Sequence, residues 1–427
     1  MSEKKAAVNF IYQDRRQYYV SNHRILLSLL SVSCSDHLIL GSESLHYKFL
    51  TGYIDSMGII RTFLSILVVL GHIIGFDCAS WPYAGGGATI AVNMFFVISG
   101  FYMALVLDTK YTNILAFYKA RALRLYPIYF ATIIFSMFIM MYSNDSLLAK
   151  WVRPNIERLI SGDAQWYAPF AIFSNLTFFG LDLGSLLSLE GKEVALALES
   201  NVMLLSGFTI VPQAWSLGIE ILFYLLIPFI LRAGWVGIIG ASLISISTNV
   251  MLSVFGFYHE PWNRMFFFSV LIYFMLGVMV CRASSYLKLP DLSKYLQPIL
   301  AVTFLVIASY AFIGQLFIVP WPNKTLEAIL IVSFAANLPI LFRASKDSAF
   351  DRWIGELSYP IYITHFATLA LFIPLLRDIV IGGIARTIIH LTLVIAVSLI
   401  GVFLITIPME KVRSRQRIPK QPEKLGT

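Results

Sequence analysis

Arg61 and His72 have side chains and a spacing that could do chemistry together. An imidazole titrates close to neutral pH, so it can take the proton of an attacking hydroxyl. A guanidinium is a permanent cation whose planar fork of donors suits phosphate oxygens. The two residues are 11 positions apart, and that many helical steps return to within about 20° of the starting direction. On a helix both side chains therefore share one face, about 16 Å apart along the axis. Arg121 and Arg124 form a second cationic pair, in the run from Phe117 to Pro127, which reads as a basic loop able to hold an anion. Glu220 closes the run Trp215-Ser216-Leu217-Gly218-Ile219-Glu220, and Tyr362 and His365 close Ser358-Tyr359-Pro360-Ile361-Tyr362-Ile363-Thr364-His365.

The elements that must position these groups are set by composition. Of 427 residues, 58% are hydrophobic and 13% charged, about half the charged share of soluble domains. That excludes a soluble enzyme, a disordered chain and a nucleic-acid module, and it leaves an all-α polytopic membrane protein. A span needs about 20 apolar residues. Ten segments qualify, at 59–79, 87–107, 122–143, 214–232, 234–255, 265–284, 296–318, 325–345, 353–376 and 384–408. The stretch 168–189 is apolar but broken by Pro169, Gly180, Asp182 and Gly184. With that stretch outside the count, about three-quarters of the 32 Lys and Arg fall on one side, the bias expected of cytoplasmic loops. Both termini are then cytoplasmic, and 144–213 is a large external segment. Residues 53–410 form the membrane domain, and 411–427 a basic tail. Residues 1–50 fit either a cytoplasmic, interfacial arm or an upstream extension of the reading frame. Ile25–Val32 is too short to span, and no cleaved leader is expected. Cys34, Cys78 and Cys281 make no metal-type spacing, and no Gly-rich phosphate loop is present.

Ionisable residues at membrane depth cost about 2.5–3.5 kcal/mol each at a helix centre, so each needs a reason. His72, Glu220 and His365 lie deep, with His365 at nearly the level of His72. Small residues such as Ser99 and Gly100, in the second span, suit close helix packing.

Five pieces in chain order resemble the acyltransferase 3 family of integral membrane proteins. They are Arg61 with His72, the Phe95–Phe101 run FFVISGF, Arg121-x-x-Arg124-x-Tyr126-Pro127, Trp215–Glu220, and Ser358–His365. Asn93 departs from the family pattern, which often has an aspartate there, and no soluble hydrolase-like domain follows the last span. The resemblance implies transfer of an acyl group, commonly acetyl, from acyl-CoA to a hydroxyl of a carbohydrate. The acceptor would be a surface polysaccharide, a lipopolysaccharide or a lipid-linked glycan such as a lipochito-oligosaccharide precursor. It implies a multi-pass protein of the cell membrane, the bacterial inner membrane, working within the lipid bilayer. No cofactor is permanently bound; acetyl-CoA or another acyl-CoA is the donor substrate.

On this reading His72 is the general base and Glu220 orients an imidazole or the acceptor. Arg61, Arg121 and Arg124 hold the donor phosphates, while Trp215, Tyr362 and His365 contact substrate. The rival function is a transporter or flippase of a lipid-linked glycan, against which stands the lack of matched Gly/Pro-broken helices in two halves.

Overall fold

The computed structural model describes residues 56–76, 86–109, 113–162, 164–190, 193–197, 205–257, 260–286, 290, 292–316, 324–379 and 382–415. The expected arm at 1–50 lies outside them, as does the tail beyond 415. Long helices are α1 (Gly58–Phe76), α2 (Gly86–Thr109) and α3 (Ile114–Tyr142). Between these and the next long helix lie α4 (Leu147–Trp151), α5 (Arg153–Ser161), α6 (Ala168–Thr177), α7 (Leu183–Leu186) and the strands β1 (Leu187–Glu190) and β2 (Glu193–Leu196). Then follow α8 (Trp215–Arg232), α9 (Gly234–Val254), α10 (Phe267–Ser284), α11 (Leu296–Leu316) and α12 (Lys324–Ser345). The last are α13 (Ala349–Gly355), α14 (Ser358–Leu376), α15 (Gly383–Gly401) and α16 (Ile407–Arg415), with a π-helical turn at Val402–Thr406.

Among the described residues nine helices are long and apolar enough to cross a bilayer. The protein is thus an all-α, multi-pass membrane protein, as its composition requires. The segment expected at 296–318 forms α11, but its apolar stretch, Leu296–Tyr310, is shorter than the other nine. The stretch 168–189 forms no single helix. Phe178 turns left-handed at φ 68° and Gly180 at φ 82°, α7 is one turn long, and β1 pairs antiparallel with β2.

One expectation changes. Phe117–Pro127 is not a loop. It is the first part of α3, which starts at Ile114 because the Asn113 side chain accepts the Leu115 N–H and caps the helix. Arg121 and Arg124, three apart on a helix, are therefore fixed on neighbouring positions of one face.

Two features bring the functional helices together. Gly100 of α2 and Gly277 of α10 meet backbone to backbone: a Cβ on Gly100 would lie 2.0 Å from the Phe274 carbonyl oxygen, and one on Gly277 2.0 Å from that of Val97. With little hydrophobic drive between helices in lipid, such close approach is how they gain contact. The other feature is the start of α1. Asp351 of α13 accepts the backbone N–H groups of Gly58 at 2.7 Å and Ile59 at 3.0 Å, and Ser345 accepts that of Met57 at 2.8 Å. Three donors that a helix start leaves unpaired are thus satisfied from later in the chain, with a carboxylate at the positive end of the helix. Along the seam, Thr62 donates to the Ile354 carbonyl at 2.7 Å and Ser65 to that of Ser358 at 2.8 Å. Thr62–Ile354, Ser65–Ser358 and the further contact of His72 with His365 keep a near-constant offset. The α1 and α14 helices therefore run parallel and in register.

Candidate active site

The parallel α1–α14 seam carries a cavity at one end and an imidazole pair further along. The cavity has a volume of about 130 Å³ and is walled by α1, α2, α3, α8 and α14. Arg61, Arg121, Arg124, Glu220 and Tyr362 all line it, together with Ser99, Tyr102, Ser216, Tyr224 and Tyr359. Trp215, His72 and His365 are not part of its wall.

The cation end is built from α1 and α3. Arg61 is held by the register of α1 on α13: a Cβ on Gly355 would come within 2.7 Å of the Arg61 Nη2, and one on Gly58 within 1.8 Å of the Asp351 carbonyl oxygen. Only glycine permits that approach. The Arg61 guanidinium lies over the Tyr102 ring at 5.7 Å, and that of Arg121 over Phe117 at 5.8 Å. Both arginines are buried, and the Nε of each is enclosed without a hydrogen-bond partner. The α3 entry motif also anchors the 144–213 segment: Tyr126 donates to the Thr177 carbonyl at 2.9 Å and Tyr129 to that of Asn175 at 2.8 Å. Tyr359 donates to the Leu125 carbonyl at 2.8 Å, tying α14 to α3 beside the arginines.

Each residue of Trp215–Glu220 has a separate task. The Trp215 ring carries the Arg264 guanidinium at 5.5 Å. Ser216 shares a 2.6 Å hydrogen bond with the Tyr362 hydroxyl. Gly218 admits the chain at Phe178, where a Cβ would lie 2.9 Å from the carbonyl oxygen. Glu220 faces the cavity and accepts hydrogen bonds from Ser99, at 3.0 Å, and from Tyr224 one turn on. Two hydroxyl donors supply what a carboxylate at this depth needs. Its described bonds go to hydroxyls and to no imidazole. Ser99 thus bonds α2 to α8 at the cavity wall, and Gly100 makes the close backbone approach to α10.

Tyr362 is the partition. Its ring faces the cavity, while its backbone carbonyl accepts the Nδ1–H of His365 at 2.6 Å. His365 is fully buried, and its ring lies 4.9 Å from that of His72. His72 is only partly buried, and its Nδ1 lies 2.9 Å from the Val68 carbonyl oxygen. A carbonyl oxygen can only accept, so the proton sits on Nδ1 in both rings and each neutral imidazole keeps its lone pair on Nε2. The His365 Nε2 has no partner. This arrangement can accept a proton at His72 beside a cavity that can hold an anion.

Sequence reasoning missed Ser99, Ser216 and Tyr224 as site residues, along with Arg264 on Trp215. A Glu with Tyr four residues later, Glu220 and Tyr224, is the signal that could have found one of them. In the 144–213 segment Asp182 is buried with Oδ1 unpartnered. Burial pushes its carboxyl up to about 6, against the pull of backbone N–H groups at Leu183 and Asp182 itself.

A family model described as an acyltransferase domain matches residues 53–407. The chain belongs to the acyltransferase 3 family. No curated protein and no solved structure matches it. The matched region contains every site residue named above, so the cavity and the imidazole pair belong to the acyltransferase domain. This acyltransferase is a multi-pass membrane protein, with nine helices among the described residues long and apolar enough to cross a bilayer.

Proposed function

We propose that the protein moves an acyl group, acetyl in the first instance, from acyl-CoA to a hydroxyl of a carbohydrate or glycolipid. The acceptor is a surface polysaccharide, lipopolysaccharide or lipid-linked glycan precursor. The single observation that supports this best is the cavity that gathers Arg61, Arg121 and Arg124 with Tyr362, whose carbonyl binds His365, the ring neighbour of His72.

The Lys and Arg distribution supports a cytoplasmic side for both termini and the Arg61 end of α1, the side of a bacterial inner membrane on which acyl-CoA is made. The arginines take phosphate oxygens of the donor. A cavity of about 130 Å³ holds a slender chain, comparable to sites that bind benzene. The purine-ribose end therefore stays outside and the pantetheine arm enters. Glu220, with Ser99 and Tyr224, accepts the N–H of an amide in that arm. Tyr362 turns aside, and the thioester reaches His72.

The acceptor hydroxyl gives its proton to the His72 Nε2 as its oxygen bonds to the acyl carbon. The carbon–sulfur bond then breaks, and the proton passes from His72 to the departing thiolate, giving free CoA and an O-acyl ester. His365 packs the His72 ring in place. Comparing O-acyl esters on surface glycans of cells with and without the protein tests the reading: loss of esters in its absence is expected, and an unchanged ester content overturns it.

A further inference from the structure

His72 has a second neighbourhood that the donor cavity does not use. Its ring lies 6.0 Å from Phe76 and 6.2 Å from Phe366, neither of which lines the cavity. Those two rings meet edge to face at 5.6 Å, and Trp151 joins both, at 5.3 Å from Phe76 and 6.2 Å from Phe366. Trp151 closes α4, in the 144–213 segment, and is 50% exposed. An exposed Trp by itself is an ordinary interfacial residue. Here its ring is the outermost of a continuous patch that ends on the imidazole.

We propose that Trp151 is the stacking platform of the acceptor subsite, taking a pyranose ring, with the partly buried Phe76 beside it and the buried Phe366 packed behind both. A pyranose has a flat face of C–H bonds and a rim of hydroxyls. The face suits an indole, which offers a large, rigid apolar surface at small entropic cost. The rim suits imidazole nitrogens. A sugar lying over the Trp151–Phe76 edge carries a rim hydroxyl toward His72, and the thioester comes from the other side, past Tyr362. The subsite rests on the acyl-transfer reading for its role, but its occupancy can be measured without that reaction.

The test uses the full chain in lipid nanodiscs, with methyl β-D-glucopyranoside as probe and saturation-transfer NMR as readout. The expected result is saturation of the ring C–H protons of one face, falling about tenfold in Trp151→Ala and retained in Trp151→Phe. Trp166→Ala is the control, because Trp166 is 48% exposed in the same segment and its ring contacts Tyr167 instead. No saturation of the wild-type protein, equal saturation in Trp151→Ala, or equal loss in Trp166→Ala would overturn the platform. Adding acetyl-CoA then reads the chemistry separately. Trp151-dependent sugar binding without release of CoA thiol would keep the subsite and sink acyl transfer.

Discussion

His72 and His365 lie ring to ring at 4.9 Å on parallel helices, each with its Nδ1 bound to a carbonyl of its own helix. Those carbonyl bonds set both tautomers, and the two rings differ in access. His365 is fully enclosed, while His72 is partly open. In the proposed reaction the proton-transfer role therefore falls to His72 and the packing role to His365. His72→Ala should lower kcat by about 10²–10⁴-fold, the usual worth of a general base. His365→Phe keeps a ring and loses both nitrogens, and should retain kcat within about tenfold. Steady-state kinetics with purified variants checks this; the reverse order of effects would exchange the two roles.

Arg61 and Arg121 should act on donor affinity. A charge-assisted hydrogen bond is worth about 1.5–3 kcal/mol, so Arg61→Ala or Arg121→Ala should raise the KM for acyl-CoA about tenfold or more. Lysine in place of either should restore it only in part, because the fork is lost. Gly355→Ala should mimic Arg61→Ala, since the added methyl meets both the Arg61 Nη2 and the Gly58 Cα at 2.7 Å. A donor KM that none of the three changes would remove the anchoring role.

The Ser216–Tyr362 hydrogen bond, 2.6 Å long, should hold the partition shut until an acceptor is in place. Ser216→Ala and Tyr362→Phe each delete it. Both should raise acceptor-independent hydrolysis of acyl-CoA severalfold, because exclusion of water protects a reactive ester. Thiol release measured without any acceptor reports this directly, and a rate equal to wild type would mean that the bond does not gate.

Asp182 gives a pH dependence outside the spans. Its carboxyl sits near 6 in the fold against an ordinary 3.8. The fold thus prefers the protonated form, and its stabilisation is complete below about 4 and lost as pH rises through 6. With the intrinsic pH dependence of amide exchange divided out, protection factors around residues 178–186 should be higher at pH 5 than at pH 7. Asp182→Asn should abolish the difference; a difference that survives the substitution would point to another group.

Much of this site was legible in the sequence because membrane burial makes polar residues conspicuous. Arg61, Arg121, Arg124, Glu220 and Tyr362 stand out against apolar surroundings, and the structure gathers them around one cavity. Helical periodicity placed Arg61 and His72 on one face of α1, but which face meets which neighbour depends on tertiary contacts. The bonds from Asp351 to Gly58 and Ile59 set that choice, and they join residues nearly 300 positions apart. Tyr362 as a wall between cavity and imidazoles was invisible for the same reason. Phe117–Pro127 misled because Pro127 and three basic residues suggest a loop, whereas the cap at Asn113 starts the helix earlier.

In the proposed reaction one donor molecule spans from the arginines to His72. A structure of the protein with a non-hydrolysable acetyl-CoA analogue tests it most directly. The expected result is phosphate oxygens against Arg61 and Arg121, Tyr362 rotated away from Ser216, and the acyl carbon within about 4 Å of the reacting groups beside the His72 Nε2. An analogue whose acyl carbon stays on the arginine side of an unmoved Tyr362, or which binds elsewhere, would contradict it.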